Sequence, residues 1–301
     1  MDCMVQLIRF TAMPGARPAS SAGPTVRLSQ RKEVITMDLQ FGGKRALVTG
    51  SSSGLGEEIA RVLAAEGAAV VVHGRDEART EAVAKSIRGD GGTASIAIGD
   101  LSTDAGADQV QAAAVSEGPV DILVNNAGVY DPEAQWSDTV PGAWAEMYNI
   151  DVISSVRMIQ RLLPGMRARG WGRVIQVSSV LGDLPKARQP HYAAANAARN
   201  NLAASLAREL KDSGVTSNAV AAGSILTPAR KDAVSGIGKQ NGWGESFAEI
   251  EPKYVNAYNP NDTGRLGRPR DYADAVAFLA SPVTGYITGA TLRIDGGWYD
   301  S

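Results

Sequence analysis

The run Thr49-Gly50-Ser51-Ser52-Ser53-Gly54-Leu55-Gly56 follows directly on a short apolar run and leads into a helical pattern. Glycines there permit a tight turn and let the backbone approach a phosphate closely, and the free amides and dipole at the start of the following helix favour an anion. A glycine trio before a helix is also a common plain turn. The position of this one, after the first strand and at the mouth of a helix, supports the phosphate cradle. Gly50, Ser52, Ser53, Gly54, Leu55 and Gly56 are therefore candidate contacts to a dinucleotide pyrophosphate. The second apolar run ends Val72-His73-Gly74-Arg75. Nucleotide folds that select NAD commonly place an acid at this strand end for the ribose 2′-hydroxyl, whereas an arginine suits a 2′-phosphate. With Gly74 in the acid's place, Arg75 favours NADP(H), with NAD(H) the alternative. The competing reading makes Arg75 a solvated loop arginine with Asp76 as its partner.

Other chemistries have thinner support. His73 and His191 have no acid at triad spacing and receive no catalytic role. Two histidines and the single Cys3 cannot supply an ordinary structural zinc site, so no metal is expected, and one cysteine cannot form an internal disulfide. Thirty basic against 32 acidic residues leave a net charge of −2 with no basic stripe, which argues against nucleic acid as a partner. Apolar runs such as Ala68–Val72 are far below the ~20 residues a bilayer span needs, so no membrane partner is expected, and a cytoplasmic location is. The 44% apolar content across 301 residues is ample for a large core.

The elements that must carry the loop are short β-branched runs alternating with alanine-rich helical patterns. Strands are expected over 45–49, 69–73, 94–98, 121–125, 173–178, 216–220 and 290–294, and helices near 55–66, 76–89, 104–117, 141–168, 191–212 and 270–280. Continuous apolar strands alternating with helices imply a parallel sheet covered on both faces, hence a doubly wound α/β fold. Residues 227–263 break the rhythm. They are rich in Gly, Asn and aromatics and read either as a substrate lid or as an irregular surface excursion. Residues 1–36 carry five basic residues against two acidic and contain Pro-Gly-Ala-Arg-Pro-Ala-Ser-Ser-Ala-Gly-Pro. They read as a disordered tail, as sequence upstream of a true start at Met37, or as a targeting segment; residues 37–301 form the dinucleotide-binding domain.

With Asn125-Asn126-Ala127-Gly128 after the fourth strand, Ser179 thirteen residues before Tyr192, Gly264-Arg265-Leu266-Gly267-Arg268-Pro269 and a terminal Asp295-Gly296-Gly297, the chain resembles the short-chain dehydrogenase/reductase family over about residues 38–300. Its closest flavour is the 3-oxoacyl-carrier-protein reductase type. The resemblance implies a single three-layer α/β/α Rossmann domain with a seven-stranded parallel sheet, a homotetramer or homodimer, and a small carbonyl or alcohol substrate. It makes Tyr192 the acid/base group and Ser179 the hydrogen-bonding partner of the same substrate oxygen. It adds Asp100, Leu101, Asn126, Ala127, Gly128, Tyr192, Asn196, Gly223, Ile225 and Thr227 as cofactor contacts. Asp100 reads equally as an acid at a helix N-terminus.

Two positions depart from the family pattern. The lysine expected four residues after the tyrosine is Asn196, and the asparagine expected on the preceding long helix is Asp151. Asn149 cannot substitute, because residues two apart on a helix face opposite sides. The inner site has thus lost one positive charge and gained a carboxylate, which disfavours phenolate formation and favours carbonyl reduction over alcohol oxidation. Arg199, on the same helix face as Tyr192 and Asn196, either supplies a replacement cation or packs structurally. Asn196 keeps donors and an acceptor for a ribose hydroxyl, and Ala222 stands where the family has proline. The expected activity is NADP(H)-dependent reduction of a ketone or 3-oxoacyl substrate. The alternatives are an NADP(H)-binding pseudoenzyme or partner subunit, and non-redox dehydration or epimerisation with Asp151 as acid.

Overall fold

A computed structural model describes residues 37–298; the expectations for residues 1–36 lie outside the described residues. Seven strands, β1 (Arg45–Val48), β2 (Ala69–Gly74), β3 (Thr93–Ile98), β4 (Ile122–Asn125), β5 (Gly172–Ser179), β6 (Val215–Ala222) and β7 (Thr291–Ile294), make one parallel sheet in the order β3-β2-β1-β4-β5-β6-β7. All seven expected strands are present, with bounds that differ by one or two residues. The inner strands are buried on both faces beneath the helices, as in the apolar run Val70-Val71-Val72.

Helices α1 (Gly54–Ala65), α2 (Glu77–Gly89) and α9 (Pro269–Ala280) cover one face, where Ile59, Leu63, Ile87 and Val276 share a core. Helices α3 (Asp104–Val115), α5 (Ser154–Arg169) and α6 (Pro190–Glu209) cover the other, with Val110, Met158, Leu162 and Met166 packed on Leu47 and Leu123. Each such side chain contributes about 1.5–3 kcal/mol on burial. The three-layer arrangement is the doubly wound sheet expected.

Two expectations need correction. The long helix over 141–168 is not continuous: α4 (Pro141–Tyr148) and α5 are separated by a π-helical turn at Asn149–Ile153. Such a turn inserts one residue into the helical ladder and is common at functional sites. Residues 227–263 are not irregular either. They hold α7 (Pro228–Gln240) and α8 (Phe247–Tyr258), with a small core of Val234, Ile250, Tyr254, Val255 and Leu266. The start signals were local. Thr227 caps α7 ahead of Pro228, and Ser246 with Glu249 forms a capping box for α8.

Candidate active site

The glycine loop emerges from the C-terminal end of β1 beside β4, where the strand order reverses and doubly wound sheets open a ligand crevice. Its shape is fixed by neighbours on both sides. The Thr49 hydroxyl accepts from the Asn126 and Ala127 amides, each at 3.0 Å, and the Asn126 side-chain amide donates to the Thr49 and Gly50 carbonyls at 3.0 and 3.2 Å. From β2, His73 Nδ1 accepts from the Gly50 amide at 2.9 Å while Nε2 meets the Gly99 carbonyl at 3.1 Å. This pattern requires the neutral, Nε2-protonated ring, and burial lowers its pKa to about 4. His73, which received no catalytic role from the sequence, is the clasp of the cradle. A Cβ on Gly56 would stand 2.4 Å from both Asn126 Nδ2 and the Gly50 carbonyl oxygen, so only glycine fits.

The residues present fit a pyrophosphate. Gly54, at φ +64°, faces open space, and Ser53 makes no side-chain cap, so the first amides of α1 are left for a ligand. At the end of β2, a Cβ on Gly74 would lie 2.3 Å from Thr80 Oγ1, which leaves no room for an acid there. Asp76 is not the partner of Arg75. Its carboxylate caps α2 by accepting from the Arg79 amide at 3.0 Å, and Arg75 is exposed with no ion-pair partner among the described residues. Asp100 is exposed and accepts from the Ser102 amide at 2.9 Å, bonds that hold its carboxyl below the usual range. Leu101 turns its side chain into the core beneath α3.

A cavity of about 1060 Å³ opens beside the cradle. It brings together Leu55, Asn126, Gly128, Asp151, Ser179, Tyr192, Asn196, Gly223, Ile225 and Thr227, while Gly50, Ser52, Ser53, Gly54, Gly56, Ala127, Arg75, Asp100 and Leu101 lie outside its lining. Ser179 ends β5, and Tyr192 stands in the first turn of α6, entered through Gln189 at φ +62° and Pro190. The Tyr192 ring meets Tyr130 edge-on, centroids 5.1 Å apart. Gly223 must be small because a Cβ would stand 2.8 Å from Asp295 Cα, where the terminal Asp295-Gly296-Gly297 turn lies against the end of β6.

The departures settle into a definite arrangement. Asp151, 1% exposed in the π turn, accepts from the Val129 amide at 2.8 Å through Oδ1, while its Oδ2 is unpartnered. Burial raises its pKa to about 6, against the opposing pull of Arg199 and the Val129 amide. Asn149 points elsewhere, donating to the Ser102 carbonyl and accepting from Arg157. The Asn196 side-chain amide donates back to the Tyr192 carbonyl at 2.9 Å. Arg199 is buried and lines the cavity, its Nη2 donating to the Asn125 carbonyl at 2.5 Å and its Nε unpartnered. Tyr192 is pushed up to about 12, first by burial and then by Asp151, with Arg199 and the Ser179 hydroxyl pulling it down.

Sequence reasoning also missed Tyr130 and Arg230. Arg230 lies in the first turn of α7, where the helix dipole disfavours a cation. It lines the cavity, donates to Ser224 Oγ at 3.0 Å and Tyr254 Oη at 3.4 Å, leaves Nε unpartnered and has no ion-pair partner among the described residues.

The family described as short chain dehydrogenase matches residues 44–237. The chain belongs to that family. As a short-chain dehydrogenase/reductase it is an oxidoreductase acting on CH–OH or C=O groups. It is 36% identical to the 3-oxoacyl-[acyl-carrier-protein] reductase of Vibrio cholerae, over 87% of this chain and 99% of that one. It is also 36% identical to the cis-4-hydroxycyclohexanecarboxylate dehydrogenase of Sinomonas cyclohexanicum, over 86% and 97%. Among solved structures it resembles an NADP-bound 3-oxoacyl (acyl-carrier-protein) reductase from Agrobacterium tumefaciens C58, with TM-score 0.78, 36% identity and coverage of 90% and 100%.

Proposed function

We propose that this short-chain dehydrogenase/reductase is an NADPH-dependent carbonyl reductase whose substrate is an oxo acid or 3-oxoacyl compound. The observation that carries the direction is Tyr192, a phenol held protonated by burial and by Asp151, and so a proton donor at neutral pH. Arg75, free at the end of β2 where Gly74 leaves no room for an acid, supports the 2′-phosphorylated cofactor, as does the NADP-bound relative. When bound, the reduced nicotinamide supplies the hydride. Ser179 orients the carbonyl oxygen, Tyr192 gives it the proton, and Gly223, Ile225 and Thr227 wall the cavity on the side of α7. Helices α7 and α8 act as the lid over that side.

The substrate's acidic end is assigned to Arg230, an unpaired cation facing the cavity beside two hydroxyls. A relative that acts on a cyclohexanecarboxylate supports the same class. One observation favours a second reading, a cofactor-binding protein with weak turnover: Asn196 is uncharged and spends its amide on its own helix.

The test is NADPH oxidation with a panel of oxo acids, their methyl esters and a 3-oxoacyl thioester, with the alcohol product identified. Tyr192→Phe is expected to lower kcat by about 100-fold or more, as loss of a general acid does. Turnover unchanged in that variant refutes the mechanism. Arg230→Leu is expected to raise KM for the acid by about tenfold or more, as loss of a charged hydrogen bond does, and to leave the ester nearly unaffected. Tight NADPH binding with no product from any substrate favours the second reading.

A further inference from the structure

Asn196 and Asp151 look like two separate losses, but the structure connects them through a third residue. The point that a Cβ on Gly128 would occupy lies 3.3 Å from both Asp151 carboxylate oxygens and 3.4 Å from Arg199 Nη1. Carboxylate and guanidinium therefore converge on the same small space at the cavity wall, one from the π turn and one from α6, without closing into a direct ion pair. Both side chains are buried, at 1% and 3% exposure, and each has an unpartnered polar atom, Asp151 Oδ2 and Arg199 Nε. A pair built only for packing would satisfy those atoms. The titratable and charged groups around it are Tyr192 on α6 and Tyr130 on the loop after β4.

We propose that Asp151 and Arg199 together form the proton-supply pair of this active site, Asp151 returning to Tyr192 the proton it gives the substrate, and Arg199 serving as the cation that Asn196 is not. The inference rests on the reductase reading. In one turnover the carbonyl carbon gains the hydride and the carbonyl oxygen takes the Tyr192 hydroxyl proton. The Asp151 carboxylic O–H bond then breaks, its proton passing through cavity water to the Tyr192 oxygen, and the carboxylate takes a proton from solvent. The substrate has gained one hydride and one proton, and the protein is unchanged. Arg199 steadies the two anions that form in succession, the phenolate and then the carboxylate, within a buried space where such charge is otherwise costly. Asp151 and Arg199 act through Tyr192 and are positioning residues. Burial of the carboxyl, which holds its proton to about pH 6, fits the supply role.

The test compares kcat–pH profiles for NADPH-dependent reduction of a turned-over ketone. The wild type is expected to show a limb that falls as pH rises through about 6, and Asp151→Asn to lose both that limb and about tenfold or more in kcat below it. Arg199→Met is expected to lose about 100-fold, Arg199→Lys to keep most of the activity, and Arg199→Met with Asn196→Lys to recover about tenfold or more by restoring a cation. Folding and NADPH binding of each variant are checked by circular dichroism and fluorescence titration. Carbon NMR of aspartate carboxyls gives a readout without turnover: one carboxyl should titrate near pH 6, vanish in Asp151→Asn and shift upward in Arg199→Met. If that pattern holds with no turnover on any substrate, the reductase reading falls and the coupled pair stands. An Asp151→Asn profile of wild-type shape, or a folded double variant no more active than Arg199→Met, overturns the proposal.

Discussion

Two perturbed titrating groups, His73 in the cradle and Asp151 in the cavity, have effects on stability of opposite sign. His73 is buried neutral, its pKa lowered from 6.5 to about 4 by desolvation. Its contribution is fully present above pH 6.5 and is lost as pH falls toward 4, because the unfolded chain binds a proton that the native ring refuses. Asp151 is raised from 3.8 to about 6. Its contribution is present below pH 3.8 and is lost as pH rises through 6, because the native state holds a proton that the unfolded chain releases. At about 1.4 kcal/mol per pKa unit, each shift is worth about 3 kcal/mol. In the wild type the two largely cancel between pH 4 and 6.5; the single variants should unmask them. Asp151→Asn should match wild type near pH 4 and exceed it by up to about 3 kcal/mol at pH 7, since the buried charge is gone while the Val129 amide keeps an acceptor. For His73→Gln the deficit present at pH 7 should shrink by about 3 kcal/mol as pH falls to 4. Urea unfolding across this range measures both, and groups common to wild type and variant drop out of the difference. Differences that do not change with pH would refute the assignment of both protonation states.

Three further outcomes follow from local geometry. Arg75→Gln is expected to raise KM for NADPH by about 10- to 100-fold while leaving NADH nearly unchanged, the effect of losing a charge-assisted hydrogen bond to a 2′-phosphate, read from steady-state kinetics with both cofactors. Gly56→Ala puts a methyl 2.4 Å from Asn126 Nδ2 and the Gly50 carbonyl, and should weaken NADPH binding by about tenfold or more in fluorescence titration, since cradle and helix cannot both keep their places. Ser246→Ala removes the capping box of α8 and should cost about 1 kcal/mol in urea unfolding, while NADPH affinity stays the same.

The cradle was legible in the sequence because its signals are local: a strand, a glycine turn and a helix start occupy consecutive residues, and Gly74-Arg75 lies at a strand end. The same locality made the caps of α7 and α8 readable in principle, through Thr227-Pro228 and Ser246 with Glu249, yet the glycines, asparagines and aromatics of 227–263 led to a reading as a lid or an irregular excursion without helices of its own. What the sequence could not carry was direction. Periodicity put Asn149 and Asp151 on different sides of one helix, and the structure agrees, but the π turn that presents Asp151 has no pattern of its own. His73 carries no motif because its partners, Gly50 and Gly99, come from two other strand ends. Arg199 shared a face with Tyr192 by spacing alone. Only burial against Asn125 and Gly128 showed which way its guanidinium points.

Taken singly, each departure from the family pattern would damage the site. A carboxylate at position 151 opposes ionisation of Tyr192, and an uncharged residue at 196 removes the group that favours it. A buried arginine at 199 without a countercharge would cost several kcal/mol, and so would a buried Asp151 without a cation. Together they offset one another only in part: Arg199 draws down both the Asp151 carboxyl and the Tyr192 phenol, but burial outweighs it at each. Buried ion pairs are commonly no better for stability than apolar residues of the same volume, and this one is not even closed. Fold stability alone therefore gives no reason to keep three ionisable groups around one cavity wall, whereas a proton relay does. A cofactor-binding shell would gain stability by replacing Asp151 and Arg199 with apolar residues of the same volume.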